Sequence, residues 1–412
     1  MRSGWAPLLV TAGCVSSASA PTSTDDAASG SGGATEGRAC ELAVVAGPTW
    51  LDDALGELPG GSFGMLGLLA TPGGLLAVFS RHEAGEAEHS DLLFTARFDH
   101  ERRPQGTAVE IDAMGGATWS AGPEFMVRAH CTHFAIDWGL VDVTGQTVAV
   151  LPPPGDLGCA AAPAVAWLGT TRFLAAWLSR DGGEPNNSGC PEPGSCVALA
   201  LVEDGVVSVA RPLFDDGANG PTPSVTIAAS DDAAVVAQLR WSQDESTNEI
   251  VAMLVDHAGT TLGSEVVIEM PESTPDDRFL SLGAIAEPDG GFAIYLGGYG
   301  PSMARTRLDR DGAVVEPFTE LPLFHEVGVF GVYRRDFGLF PWRDGAIAFG
   351  SAVDGGLTNG LLTGLDAAGA PIGHIPLAGM QRALAGVDER TWLLDADASG
   401  RLYLSELGCV EQ

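Results

Sequence analysis

The end of this chain is one strand short. Residues 382–409 hold three strand-like runs, Arg382 to Val387, Thr391 to Asp395 and Arg401 to Leu407, whereas the earlier units of the sequence each hold four. A fourth is available only at the other extremity, where Cys40 to Ala46 reads CELAVVA, an apolar run that opens the folded part and belongs to no later unit. In an antiparallel pair the end of one strand lies beside the start of its neighbour, which puts Cys409 next to Cys40 at ordinary disulfide spacing. A chain whose two ends share one sheet closes on itself, and few folds permit that.

Composition agrees with an all-β chain. The 412 residues are 45% hydrophobic and 18% charged, enough to bury a large core, and 55 Gly with 26 Pro favour many strands and turns over long helices. The formal net charge is −33, and all the basic residues are Arg. Without Lys there is no Schiff-base nucleophile, no P-loop cation and no Lys general base. So acidic a chain lacks the clustered positive charge that drives binding to a phosphate backbone, which excludes nucleic acid as a partner.

The first 20 residues read as an export signal, with Arg2 as the positive end and Trp5 to Ala12 as the apolar core. Two processing sites follow. VTAGC ends at Cys14 and resembles a lipobox, in which the Cys becomes the lipidated N-terminus; Thr11 stands where Leu is usual. Ala18-Ser19-Ala20 is the rival, an A-x-A site for release as a secreted protein. Residues 21–39 hold almost nothing apolar beyond Ala and cannot offset their ordering entropy by burial, as expected of a tether. Six cysteines remain after Cys14, an even number suited to an oxidising compartment. The predicted pairs are Cys40 with Cys409, Cys190 with Cys196 and Cys131 with Cys159.

From Gly61 the chain repeats. The clearest unit, from Pro223, has four runs of β-branched and apolar residues, and the third ends in Asp-x-x-Gly before a turn. That motif recurs at Asp142–Gly145, Asp256–Gly259, Asp309–Gly312 and Asp366–Gly369. It suits a hairpin in which the carboxylate bonds the turn backbone and Gly takes the left-handed conformation. Successive turns at Asp204, Asp256, Asp309 and Asp366 lie roughly 52–57 residues apart, the length of a large propeller blade. Units then fall near 61–112, 116–152, 160–214, 222–270, 279–323, 327–378 and 380–409. The prediction is an all-β propeller over 40–412, of about seven four-stranded blades, with the last blade completed by the N-terminal strand. Unit 116–152 is short, which leaves six blades open, and a pair of β-sandwiches is the rival architecture. In its strand rhythm the region resembles the β-propeller lipoproteins of GC-rich bacteria. The resemblance implies an exported monomer facing the cell envelope, touching the membrane only through its lipid.

Candidate sites follow from the strand assignment. Loops between second and third strands emerge on one face, and three of them, Arg81 to Ser90, Arg180 to Ser195 and Ser242 to Asn248, are long and acidic. They carry Glu83, Glu86, Glu88, Asp181, Glu184, Glu192, Asp244 and Glu245, a solvated rim or a site for a cation or basic partner. At their roots Arg81, Arg180 and Arg240 recur at equivalent positions. They either grip an anionic ligand or pair with neighbouring acids, and pairing is the simpler reading. Asp395, Asp397 and Ser399 fit the start of a calcium-binding loop ending at Glu406, but strand-like flanks make a hairpin turn the more economical reading. Ca²⁺ is therefore the one cofactor worth testing. His130-Cys131-Thr132-His133 places its first two side chains on opposite faces of a strand, which disfavours a metal. Trp138, Trp167, Trp177 and Trp392 belong to blade packing. The sequence has no H-E-x-x-H, no G-x-S-x-G and no haem motif. Two readings stand: a non-enzymatic module binding a protein or glycan, and a carbohydrate-active hydrolase or lyase with carboxylates at the channel mouth.

Overall fold

The computed structural model describes residues 40–51, 61–83, 92–111, 118–132, 135–153, 159, 163–180, 195–215, 224–241, 248–270, 281–299, 302–321, 332–354, 357–377, 382–397, 399 and 401–411. The signal, Cys14, the tether and Cys190 lie outside them.

Strand β1 is Cys40–Trp50. Blade 1 then comprises β2 (Gly61–Thr71), β3 (Gly74–Glu83), β4 (Leu92–Phe98) and β5 (Val109–Ile111). Blade 2 comprises β6 (Thr118–Ala121), β7 (Phe125–Thr132), β8 (Ala135–Asp142) and β9 (Thr147–Leu151). In blade 3, β10 (Ala164–Trp167), β11 (Arg172–Arg180) and β12 (Ser195–Glu203) are followed by an outer strand split into β13 (Val206–Val207) and β14 (Arg211–Asp215). Blade 4 holds β15 (Ser224–Ala229), β16 (Ala233–Trp241), β17 (Asn248–Asp256) and β18 (Val266–Ile268). Blade 5 holds β19 (Ser281–Ala286), β20 (Phe292–Tyr299), β21 (Ser302–Leu308) and β22 (Val314–Leu321). Blade 6 holds β23 (Val332–Trp342), β24 (Gly345–Asp354), β25 (Leu357–Leu365) and β26 (Pro371–Leu377). Blade 7 supplies only β27 (Arg382–Val387), β28 (Arg390–Ala396) and β29 (Leu402–Glu411), and β1 pairs antiparallel with β29 as its fourth strand.

The expected closure is therefore present. Leu42 faces Cys409 in register, and Cys40 is bonded to Cys409 with Cα atoms 5.3 Å apart. Unit 116–152 is a complete blade, which removes the six-blade alternative. Its shortness comes from a four-residue inner strand and a five-residue outer one.

Strands here are apolar on both faces because each blade is covered on both sides. Buried side chains fall into seven clusters among the described residues, one at each seam from blade 1–blade 2 round to blade 7–blade 1. The last of these joins Phe79 and Phe94 of blade 1 to Trp392 and Leu404 of blade 7, so the ring is continuous. The fold is a seven-bladed β-propeller.

The repeated turns position one blade on the next. In all four Asp-x-x-Gly hairpins the Gly amide donates to the Asp carbonyl at 2.7–3.0 Å and has φ between +76° and +85°. The Asp carboxylate accepts two further turn amides, as at Asp256 from Ala258 and Thr260. Glycine is also required by space: a Cβ at Gly369 would lie 2.8 Å from Arg305 Cδ on the preceding blade. Blade 1 departs from the pattern. Its equivalent turn is Asp99-His100-Glu101-Arg102, and Arg102 holds the left-handed position at φ 63°. Its side chain reaches back to blade 7, donating to Glu406 at 3.1 Å.

Candidate functional site

The loops between second and third strands emerge from the ends of β3, β11 and β16, as the sequence predicted. Arg81, Arg180 and Arg240 stand opposite Leu92, Ser195 and Glu249 at the loop ends of their strands, but Arg180 is one residue out of step with the other two, so the three positions are not all equivalent. The side chains of Arg81 and Arg180 lie outside the described residues. So do those of Glu83, Glu86, Glu88, Asp181, Glu184, Glu192, Asp244 and Glu245.

Arg240 is described, and its guanidinium is committed. It is 8% exposed, with Nε donating to Glu249 at 2.8 Å and Nη2 to Glu265 at 2.6 Å. Burial acts to lower its pKa, but the bonds to the two carboxylates outweigh that and hold it above the ordinary value. This is the pairing arrangement. Truncating either carboxylate would leave a buried cation short of a partner, whereas the trio satisfies itself.

Asp397 also serves its own turn. One carboxylate oxygen accepts the Ser399 amide at 2.9 Å, the Ser399 hydroxyl at 2.7 Å and the Arg401 amide at 2.8 Å. Burial acts to raise its pKa, and these bonds prevail and lower it. Asp395 is fully buried and accepts the Tyr403 hydroxyl at 2.6 Å. Glu406, last position of the calcium-loop pattern, is bonded instead by Arg390 and Arg102. Among the described residues no three His, Cys, Asp or Glu side chains gather at metal-binding distance.

Cys131 is bonded to Cys159, as predicted, with Cα atoms 5.8 Å apart. Cys196 is also disulfide-bonded; its predicted partner Cys190 is among the residues not described. Trp138, Trp177 and Trp392 are fully buried and Trp167 is 5% exposed, all between blades.

Sequence reasoning missed the guanidinium seams on the opposite face. Arg172 and Arg211 of blade 3 donate to the carbonyls of His257 and Ala258 in the blade 4 turn. Arg305 of blade 5 donates to the Ala367 carbonyl of blade 6, to Glu316 at 2.9 Å and to Glu287 at 2.6 Å. Arg307 is paired with Glu287 and Asp289. Arg390 of blade 7 donates to Glu406 and to the His100 carbonyl of blade 1. The signal available in the sequence was an Arg on the strands of blades 3, 5 and 7, but the partners lie up to 290 positions away.

Family models and curated proteins yield no match to the chain. Solved structures do. Hydrazine synthase from Kuenenia stuttgartiensis is 11% identical, with a TM-score of 0.50 over 87% of this chain and 97% of that one. A subtype N11 neuraminidase-like protein from the influenza virus A/flat-faced bat/Peru/033/2010 is 9% identical, with a TM-score of 0.40 over 82% and 93%. An acylaminoacyl peptidase of Pyrococcus horikoshii is 13% identical, with a TM-score of 0.45 over 83% of this chain and 51% of that one. At 11% identity the first likeness shows the fold alone, and the other two carry no argument.

Proposed function

We propose that this chain is an exported β-propeller, held to the cell envelope by a lipid on Cys14, that binds a protein or glycan ligand without transforming it. Export rests on one observation: every cysteine among the described residues, Cys40, Cys131, Cys159, Cys196 and Cys409, is disulfide-bonded. Disulfides on this scale persist where thiols are not kept reduced. The first strand begins at Cys40, and the sequence between it and Cys14 has the composition of a tether. No helix among the described residues is long and apolar enough to cross a membrane.

Binding is favoured over catalysis by the state of the charged groups. The buried or half-buried carboxylates of Glu249, Glu287, Glu406 and Asp395 are each engaged by Arg or Tyr. Hydrolysis of a glycoside needs a carboxylate pair facing a sugar, one of them held protonated by its surroundings. Glu406 is shifted the other way, toward ionisation, by Arg390.

Two measurements test this. Fractionation of cells producing the chain, with mass analysis of its N-terminus, should find it in the membrane fraction starting at a lipidated Cys14, with Cys14→Ser releasing it; an unmodified N-terminus at Pro21 in the medium contradicts the anchor. Electrophoresis through gels containing anionic and neutral polysaccharides, with a reducing-end assay, should show retardation without new ends. Accumulating reducing ends contradict the binding reading.

A further inference from the structure

The closing disulfide is chemically unsymmetrical. Arg343, exposed in the tight turn between β23 and β24 of blade 6, donates from Nη1 to Cys40 Sγ at 3.3 Å. It has φ 56°, a left-handed position, and its guanidinium stacks on the Trp342 ring with 5.6 Å to the centroid. Trp342 is buried in the same cluster that Cys40, Cys409 and Leu42 pack against, so the cation is anchored beside the sulfur. Glu411 stands opposite Cys40 in register and is solvent-exposed.

Neither cysteine of the closing pair is fully buried. Cys40 and Cys409 are half-buried, and Val410 beside Cys409 is 47% exposed. In the blade 2–blade 3 seam pair Cys131 is half-buried too, but Cys159 is 3% exposed and packed in a cluster with Trp138 and Trp177. Apart from the disulfide, the start of β1 is held by its ladder to β29 and by Leu42 in the blade 6–blade 7 seam, while Val44 and Val45 are 43% and 48% exposed.

We propose that Cys409 Sγ is a site of thiol attack, and that Arg343 makes Cys40 the leaving group, so that a dithiol can unlatch the outer strand of blade 7. In the first step a thiolate forms a bond to Cys409 Sγ, the bond between the two protein sulfurs breaks, and its electron pair leaves on Cys40 as a thiolate beside Arg343. In the second, the other thiol of the reductant attacks its own sulfur in the mixed disulfide and releases Cys409. The dithiol loses two electrons and two protons and becomes a cyclic disulfide, and the protein pair becomes two thiols. A neighbouring cation lowers the pKa of the departing thiol, and a lower leaving-group pKa speeds exchange.

The test uses the full chain under native conditions, with graded dithiothreitol, an acid quench, alkylation and peptide mass analysis. Cys40–Cys409 should open about tenfold faster than Cys131–Cys159. Arg343→Asn, which keeps a residue tolerant of the left-handed turn, should slow that opening roughly three- to tenfold and leave Cys131–Cys159 unchanged. Arg343→Lys should restore much of the rate. Reduced glutathione, a monothiol, should be trapped on Cys409. Equal opening rates for the two pairs, no effect of Arg343→Asn, or glutathione trapped on Cys40 would overturn the proposal. The glutathione experiment needs only the unaltered chain and decides the matter even if the variants fail to fold.

Discussion

Single residues set how one blade meets the next. Gly369 and Gly290 both have positive φ, near +80° and +84°, but a Cβ at Gly290 meets nothing closer than 3.8 Å, whereas at Gly369 it meets Arg305 at 2.8 Å. Gly290→Ala should therefore cost about 1 kcal/mol of backbone strain, and Gly369→Ala about 2 kcal/mol or more, the excess reporting displacement of Arg305. Denaturant unfolding of the two variants measures the difference; equal costs would remove the packing role given to the turn. Arg102 takes the place of such a glycine at the closing seam and reaches Glu406, which also accepts from Arg390 at 2.8 and 2.9 Å. The bonds from Arg390 outweigh burial and hold the Glu406 carboxyl below its ordinary value of 4.5. A carboxylate depressed in this way stabilises the fold above its unfolded pKa, and that contribution is lost as pH falls through the folded value. Wild type should exceed Glu406→Gln by about 1–2 kcal/mol at pH 7. The gap should stay constant down to about pH 5 and close below it; a gap that widens on acidification contradicts the assignment.

At the scale of strands, β1 is the element whose place matters most, and it buries only Leu42. Leu42 is its main buried anchor, and the Cys40–Cys409 bond spans a sequence separation of 369 residues. In the chain-entropy account, a crosslink closing so long a loop is worth about 6 kcal/mol, an upper value since denatured chains retain structure. Cys40→Ser with Cys409→Ser should lower the melting temperature by several degrees. It should also remove hydrogen-exchange protection from β1 and β29 before β16 and β17. Uniform loss of protection across all blades would contradict the view that closure is local. Much of this was legible in the sequence, because CELAVVA had no home in any repeat and Cys409 ended a sheet that lacked a strand. The Asp-x-x-Gly turns were legible too, since the carboxylate and the glycine each answer a local backbone need. Blade 2 was placed at 116–152, where it lies, but strands of four and five residues carry too little periodic signal to have counted it as a full blade. Arg102 hid as a fifth turn by replacing the glycine that defines the motif.

For the molecule as a whole, seven seams of apolar side chains and a guanidinium face hold the ring, and the opposite face presents the loops. Which face the loops between second and third strands leave from was legible from the strand rhythm. What Arg240 does there was only half legible: its position was evident, but Glu265, the second carboxylate that claims it, lies 25 residues away on a neighbouring segment. The account depends on the two ends of the folded chain sharing one sheet. Non-reducing proteolysis with mass analysis of the mature chain tests this directly. The predicted result is a crosslinked peptide pair containing Cys40 and Cys409, together with a Cys131–Cys159 pair. Cys40 linked to any other cysteine, or recovered with Cys409 as free thiols from freshly isolated protein, would contradict the closed ring described above.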